Sequence, residues 1–291
     1  MIGKTLKYIR EQKNFTATEV TQDILTPSQF SRIENKNQTP AADSFIKLLY
    51  RINVSFDEFI LLSNDNHAKA RIETKNYIAN VLRKKNPQQL KSAMAKMDNY
   101  YAMYNDFYFN HMSCLLKATL IFSEEGSNFN AMHSALTPIS EYLSNRETWF
   151  EYEIALFTNC LYLYPLEKAM TLGEEVLNKL KKNYALLKSD EITRGLLVNM
   201  AIYALSDAKY YHNAHIYSNA VFSLPQSTNL LYITLLAKIV NQVSCYKLDN
   251  GEYDESYLIS LINCFKTMRF DDLYKQAIDF ITKHDITIDN I

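Results

Sequence analysis

The chain has 291 residues, of which 47% are hydrophobic and 22% charged, and its net charge is −1. That composition excludes a disordered or fibrous protein, and the balanced charge excludes a polycation, so any nucleic-acid binding must rest on local charge. Five glycines and six prolines are too few for the turns of an all-β fold, whereas 21 tyrosines and 15 phenylalanines suit long, closely packed helices.

The first 62 or so residues predict five short helices. Leu6, Ile9 and Phe15 begin an apolar stripe, with Lys4, Lys7 and Arg10 off it. Thr16 is an N-cap with Glu19 three residues on, the spacing of a capping box. Thr26-Pro27 sets a capping hydroxyl before a proline at the first helical position, starting a third helix that runs to about Glu34. Pro40 and Asp43 precede a fourth, carrying Phe45, Leu48, Leu49 and Ile52. Ser55 caps a fifth, with Asp57 and Glu58 where the helix dipole favours carboxylates. The polar stretch Ser63-Asn64-Asp65-Asn66 marks the domain boundary, giving domains 1–64 and 65–291.

Beyond it, apolar residues recur at helical spacing almost to the end. Helices are expected near 67–84, 87–104, 107–123, 128–143, 148–163, 166–182, 190–206, 208–222, 228–248, 255–268 and 271–284. Connections of a few residues imply helical hairpins. A hairpin of roughly 40 residues repeated about five times implies a tetratricopeptide-like array with a right-handed superhelical course. The fold class is therefore all-α. Asn159, Asn199 and Asn241 fall on every second helix, at a spacing close to that period.

The segment from Thr16 to Asn37 is the most informative. Val20, Ile24, Phe30 and Ile33 have the spacing to pack a second helix steeply against a third. That is a helix-turn-helix, whose third helix enters the major groove of DNA. Ser28, Gln29 and Arg32 are the side chains placed to reach base edges: Arg32 suits guanine and Gln29 adenine. Thr26, Asn35, Lys36 and Asn37 around that helix, and Lys7, Arg10 and Lys13 on the first, suit phosphates. Glu11, Glu19, Asp23 and Glu34 oppose these cations, so one copy neutralises few phosphates and a dimer is expected.

Other chemistry finds little footing. The cysteines at 114, 160, 245 and 264 have no C-x-x-C spacing and read as small buried hydrophobes in a reducing compartment. His212 and His215 share a face, but no motif completes a metal site. No nucleotide loop or nucleophile elbow occurs, so neither catalysis nor a cofactor is expected. The start lacks a signal-peptide stretch. The most apolar run, 230–240, is interrupted by Thr234 and Lys238 and is too short for a membrane span. A cytoplasmic location is expected.

The run Ser28 to Glu34, S-Q-F-S-R-I-E, resembles the S-x-[apolar]-S-R-[apolar]-E core of Xre-type helix-turn-helix modules. With the L-T-P-S start, Phe56-Asp57-Glu58-Phe59 and the total length, the chain resembles the Rgg/GadR/MutR family of Gram-positive transcriptional regulators. The resemblance implies a homodimer that binds promoter double-stranded DNA and whose tetratricopeptide-like domain binds a short hydrophobic signalling peptide in quorum sensing. It also implies recognition-helix roles for Ser28, Gln29 and Arg32. The family usually places glycine after the residue matched by Glu34. Asn35 and Lys36 stand there, and asparagine tolerates the left-handed turn expected at that point.

A concave repeat surface suits a peptide, and asparagine amides can hold both N–H and C=O of a peptide backbone. Asn159, Asn199 and Asn241 are thus peptide-binding candidates, with Tyr152 and Tyr203 on the faces of the first two and Lys238 for a peptide carboxylate. The alternative is a helix-turn-helix repressor controlled by a protein partner, with a repeat domain serving dimerisation and protein interaction alone.

Overall fold

The structure is a computed structural model describing residues 2–63, 65–183, 190–225 and 230–288. Among the described residues every regular element is helical, as the scarcity of turn residues requires. The chain divides into two compact units: Met1–Lys84 with Asn99–Asp106, and Lys85–Asp98 with Phe107–Ile291. Of the expected boundary stretch, Asn64 lies outside the described residues.

The first unit contains α1 (Ile2–Gln12), α2 (Ala17–Thr21), α3 (Pro27–Lys36), α4 (Ala42–Arg51), α5 (Phe56–Leu62) and α6 (Asn66–Lys84). Three of these helices start where side chains satisfy free backbone N–H groups. Thr16 pairs with Glu19 ahead of α2, Thr26 with Gln29 ahead of α3, and Ser55 with Glu58 ahead of α5, each as a complete capping box. The core is Leu6, Ile9, Val20, Phe30, Ile33, Leu48, Leu49, Ile52, Val54 and Phe59, with Phe15, Ile24 and Phe45 packed at its edge. Phe45 meets Phe59 edge-on, with ring centroids 5.0 Å apart.

Two features lock α1 to α3. A Cβ built on Gly3 would lie 1.8 Å from the Ile33 carbonyl oxygen, so only glycine permits this approach. Two turns further along α1, Arg10 Nε donates to Glu34 Oε1 at 2.7 Å and Nη2 to Oε2 at 3.2 Å, while Nη1 donates to the Phe15 carbonyl at 3.0 Å. Both side chains of the ion pair are largely buried.

In the second unit lie most of α7 (Pro87–Tyr104) and the helices α8 (Phe107–Glu125), α9 (Phe129–Ser144), α10 (Glu151–Cys160), α11 (Leu166–Asn183), α12 (Asp190–Ala204), α13 (Tyr211–Phe222), α14 (Leu231–Leu248), α15 (Glu255–Thr267) and α16 (Asp271–Lys283). Their bounds follow the apolar periodicity closely. The exceptions are the helix expected from 148, which begins at Glu151, and ends that tighten into 3-10 turns, at Leu161–Leu163 after α10 and Ala208–Tyr210 before α13. The first residues of the helix expected from 228 lie outside the described residues. Sequential helices pack as neighbours, α8 on α9 and α12 on α13 on α14, around residues such as Leu116, Leu136, Phe157, Val198, Tyr217 and Val240, all essentially inaccessible.

The shortage of glycine has a visible solution. Left-handed backbone is taken by Asn14, Asp23, Asn37, Asn53, Asn105, Asp249 and Asp285, with φ between 49° and 62°. Short amide and carboxylate side chains tolerate this conformation best after glycine. Lys85 and Arg269 adopt it too, without that compensation.

Candidate nucleic-acid interface and effector pocket

The N-terminus of α3 is built by Thr26 and Pro27. Thr26 Oγ1 accepts from Gln29 N at 3.2 Å, and Gln29 Oε1 accepts from Thr26 N at 2.9 Å. Phe30, Ile33 and Glu34 face inward, so helical geometry turns Ser28, Gln29, Ser31 and Arg32 outward, all exposed. The three base-reading candidates therefore share one accessible face. Gln29 has a second task there, since its carbonyl oxygen closes the cap, which leaves the amide nitrogen as the end available to a base.

The helix runs past Glu34. Asn35 keeps helical geometry, its amide donating to the Ser31 carbonyl at 3.1 Å, and the left-handed residue is Asn37 (φ 54°). The turn thus comes two residues later than expected at Asn35, because Asn35 is held in the last turn from both sides: Lys7 Nζ donates to its Oδ1 at 3.0 Å. Two phosphate candidates, Lys7 and Asn35, are brought together, with exposed Lys36 and Asn37 following them.

The other two phosphate candidates from the first helix and its end, Arg10 and Lys13, are engaged internally. Arg10 serves Glu34, whose hydrogen bond raises the guanidinium pKa above its ordinary value. Lys13 Nζ donates to the carbonyls of Ile52 and Asn53 at 2.9 and 2.8 Å, capping the C-terminus of α4 where the helix dipole favours a cation.

In the second unit the peptide candidates fall into separate clusters. Tyr152 OH lies 2.7 Å from His111 Nδ1, in a packed group with Tyr142 and Glu153. Burial, followed by the Glu153 hydrogen bond, raises the Tyr142 pKa. Asn159 is exposed on α10. Asn199 accepts from Tyr162 OH at 2.9 Å, and Tyr162 stacks edge-on with Tyr203, whose hydroxyl donates to the Tyr164 carbonyl at 2.8 Å. Lys238 Nζ donates to Tyr257 OH at 2.9 Å. Asn241 Nδ2 donates to Ser218 Oγ and Asn219 Oδ1 at 3.2 and 3.0 Å.

A cavity of about 470 Å³ opens between α11, α12 and α13, lined by Leu177, Leu180, Thr193, Leu197, His215, Ile216, Asn219, Ala220, Ser223 and Leu224. Apolar walls with a few polar groups are the usual form of a ligand pocket. None of the six peptide candidates lines it. Asn241 reaches its wall through Asn219. The lining draws two residues each from α11 and α12 and four from α13, and His215 is the member whose spacing from His212 attracts notice in the sequence.

The C-terminal model of the HTH-type transcriptional regulator Rgg matches residues 94–277. The chain belongs to the Rgg family. Solved structures similar to this Rgg-family chain agree on its fold. The SHP pheromone receptor Rgg2 of Streptococcus dysgalactiae is 21% identical, with TM-score 0.74 over 97% of this chain and 99% of that one. A candidate transcriptional regulator from Listeria monocytogenes EGD-e is 17% identical, with TM-score 0.74 over 98% and 99%. PrgX in its complex with cCF10 is 16% identical, with TM-score 0.69 over 98% and 92%. These likenesses span essentially the whole chain, and at such identities they establish the all-α architecture. The protein is a transcriptional regulator, as its family is. Among the described residues no helix is long and apolar enough to cross a membrane.

Proposed function

We propose that this Rgg-family regulator binds promoter DNA through residues 1–64 and senses a short hydrophobic signalling peptide through residues 65–291, acting as a cytoplasmic homodimer. The observation that carries the reading is the outward face of α3. Ser28, Gln29 and Arg32 are exposed together on a helix whose opposite face is locked into a core. Arg32 is assigned to a guanine and Ser28 and Gln29 to neighbouring base edges, the outward amide of Gln29 being its reading end. Lys7, Asn35, Lys36 and Asn37, with Thr26 at the helix start, are assigned to phosphates. Arg10 and Lys13 contribute positive potential while their nitrogens hold the module together.

Peptide sensing draws support from relatives of the same fold: Rgg2 is a pheromone receptor and PrgX was solved with cCF10. The pocket between α11 and α13 offers an apolar side chain a place, and Asn199, Tyr203, Lys238 and Asn241 offer backbone and carboxylate partners. Tyr152 and Asn159 complete the assigned set. A dimer follows from the modest charge of one module, because two copies double the phosphate contacts. A tetratricopeptide-like superhelix is the arrangement we assign to α7–α16.

The test is a fluorescence-polarisation titration of the full chain on DNA flanking its own gene, at several salt concentrations, with and without a short hydrophobic peptide encoded beside it. Saturable binding that exceeds scrambled DNA and shifts with peptide is expected. Specific binding indifferent to peptide would favour control by a protein partner instead.

A further inference from the structure

One cluster, which touches the pocket only at His215, combines three different metal-ligand types. A ring nitrogen of His215 on α13, the thiol of Cys245 in the last turn of α14 and a carboxylate oxygen of Glu252 all lie within 4.8 Å of one another. Glu252 Oε2 is 3.6 Å from His215 Nε2 and 3.9 Å from Cys245 Sγ. In a tetrahedral zinc site the ligand–ligand separations implied by the bond lengths are about 3.3–3.6 Å. One edge of the triangle is thus already the right size, and another is slightly long.

The local fold builds this cluster. Asp249 ends α14 in left-handed backbone and Gly251 follows with φ +75°, which turns the chain back along the helix it has just left. Asp254 N donates to Gln242 Oε1 at 2.8 Å, tying the returning segment to α14. Glu252 N donates to Asn250 Oδ1 at 3.0 Å, and the carboxylate is delivered over Cys245. The Glu252 side chain is 66% exposed and can move to shorten its edges, whereas the thiol is buried.

The ring is oriented through its other nitrogen. Nδ1 lies 3.3 Å from Ser244 Oγ, whose own proton goes to the Asn241 carbonyl at 2.6 Å, so Nδ1–H can donate there. That makes Nε2, which now accepts from Asn219 Nδ2 at 2.8 Å, the ligand nitrogen once that amide gives way to the ion, the outer-shell arrangement that metal-bound histidines use.

We propose that His215, Cys245 and Glu252 form a binding site for a divalent cation of the zinc type, with water completing the shell. A thiolate, an imidazole and a carboxylate in a partly enclosed site match zinc and cobalt better than calcium or magnesium, which prefer all-oxygen shells. On binding, the Cys245 S–H bond gives way to a metal–sulfur bond and the proton passes to solvent. The cation would clamp α13 to α14 and the turn after it, at a residue, His215, that also lines the pocket.

The test uses the full-length, untagged, chelator-treated and reduced chain titrated with CoCl2. A saturable thiolate-to-cobalt charge-transfer band in the near ultraviolet, with the intense visible bands of a tetrahedral ion, is expected and should be displaced by ZnCl2. Cys245→Ser should abolish the charge-transfer band and Cys264→Ser, at an exposed thiol, should keep it. Glu252→Gln, at an exposed position that folding does not depend on, should weaken cobalt binding about tenfold or more. Absence of the band in the parent chain, or its persistence in Cys245→Ser, overturns the site. Should Cys245→Ser fail to fold, an unshifted titration curve for Glu252→Gln overturns it instead. Failure here leaves the DNA and peptide readings untouched, because neither uses the cation.

Discussion

The two units make their structure in different ways. The first begins three of its helices with complete capping boxes and fixes α1 on α3 with a glycine contact and a largely buried ion pair. The face we assign to DNA is one side of one helix. The second relies on apolar and aromatic packing between sequential helices, and its pocket takes a few residues from each of three of them. A surface on one helix can be read from periodicity; a cavity between helices depends on how they are set against each other, which periodicity does not carry.

The largest effect that would sharpen this contrast is expected from Arg10→Ala. It leaves the Glu34 carboxylate buried without its cation, a loss of about 3 kcal/mol for the first unit. Hydrogen exchange followed by mass spectrometry should show protection falling across α1–α5 while α8–α16 stay protected. A uniform loss over both units would show that they unfold together. Gly3→Ala should cost the first unit about 2 kcal/mol, because a Cβ cannot share space with the Ile33 carbonyl and α1 must shift. Thermal unfolding of the variant measures it.

Acid should separate the units by pH window. His284 in the second unit is pushed below its ordinary 6.5, chiefly by burial. The unfolded chain then binds more protons, so this contribution is present above 6.5 and is lost as pH falls toward the lower folded value. In the first unit the capping hydrogen bonds from Thr16 and Ser55 hold Glu19 and Glu58 below 4.5. Their contribution is present above 4.5 and is lost only as pH falls below it. Unit-resolved hydrogen exchange between pH 7 and pH 4 should therefore register the second unit first. The smallest effect is expected from Arg269→Gly, which relieves left-handed strain at the end of α15 and should raise stability by a few tenths to about 1 kcal/mol, measured by denaturant titration.

The helices themselves were legible to within about three residues at each end, since capping residues, apolar period and short connections all point the same way. The outward face of α3 was legible for the same reason: Phe30 and Ile33 define the inside, and Ser28 and Arg32 must then lie outside. Arg10 shows where such reading stops. Its position off the apolar stripe suggested a phosphate anchor, but its guanidinium meets Glu34, 24 residues away, and no local spacing announces that pairing. Gly3 likewise owes its role to a neighbour 30 positions on. In the second unit the periodic asparagines proved to have different neighbours, Asn199 with Tyr162 and Asn241 with Ser218 and Asn219, because equal sequence spacing does not impose equal packing.

The most direct test of the central claim, that the exposed face of α3 reads DNA, is the affinity of Arg32→Ala for a specific promoter fragment beside the parent chain at one salt concentration. The account predicts a loss of about 1–3 kcal/mol on that fragment, little change on scrambled DNA and unchanged helical content by circular dichroism. Equal affinity of the two proteins for the specific fragment, with the fold intact, would contradict it.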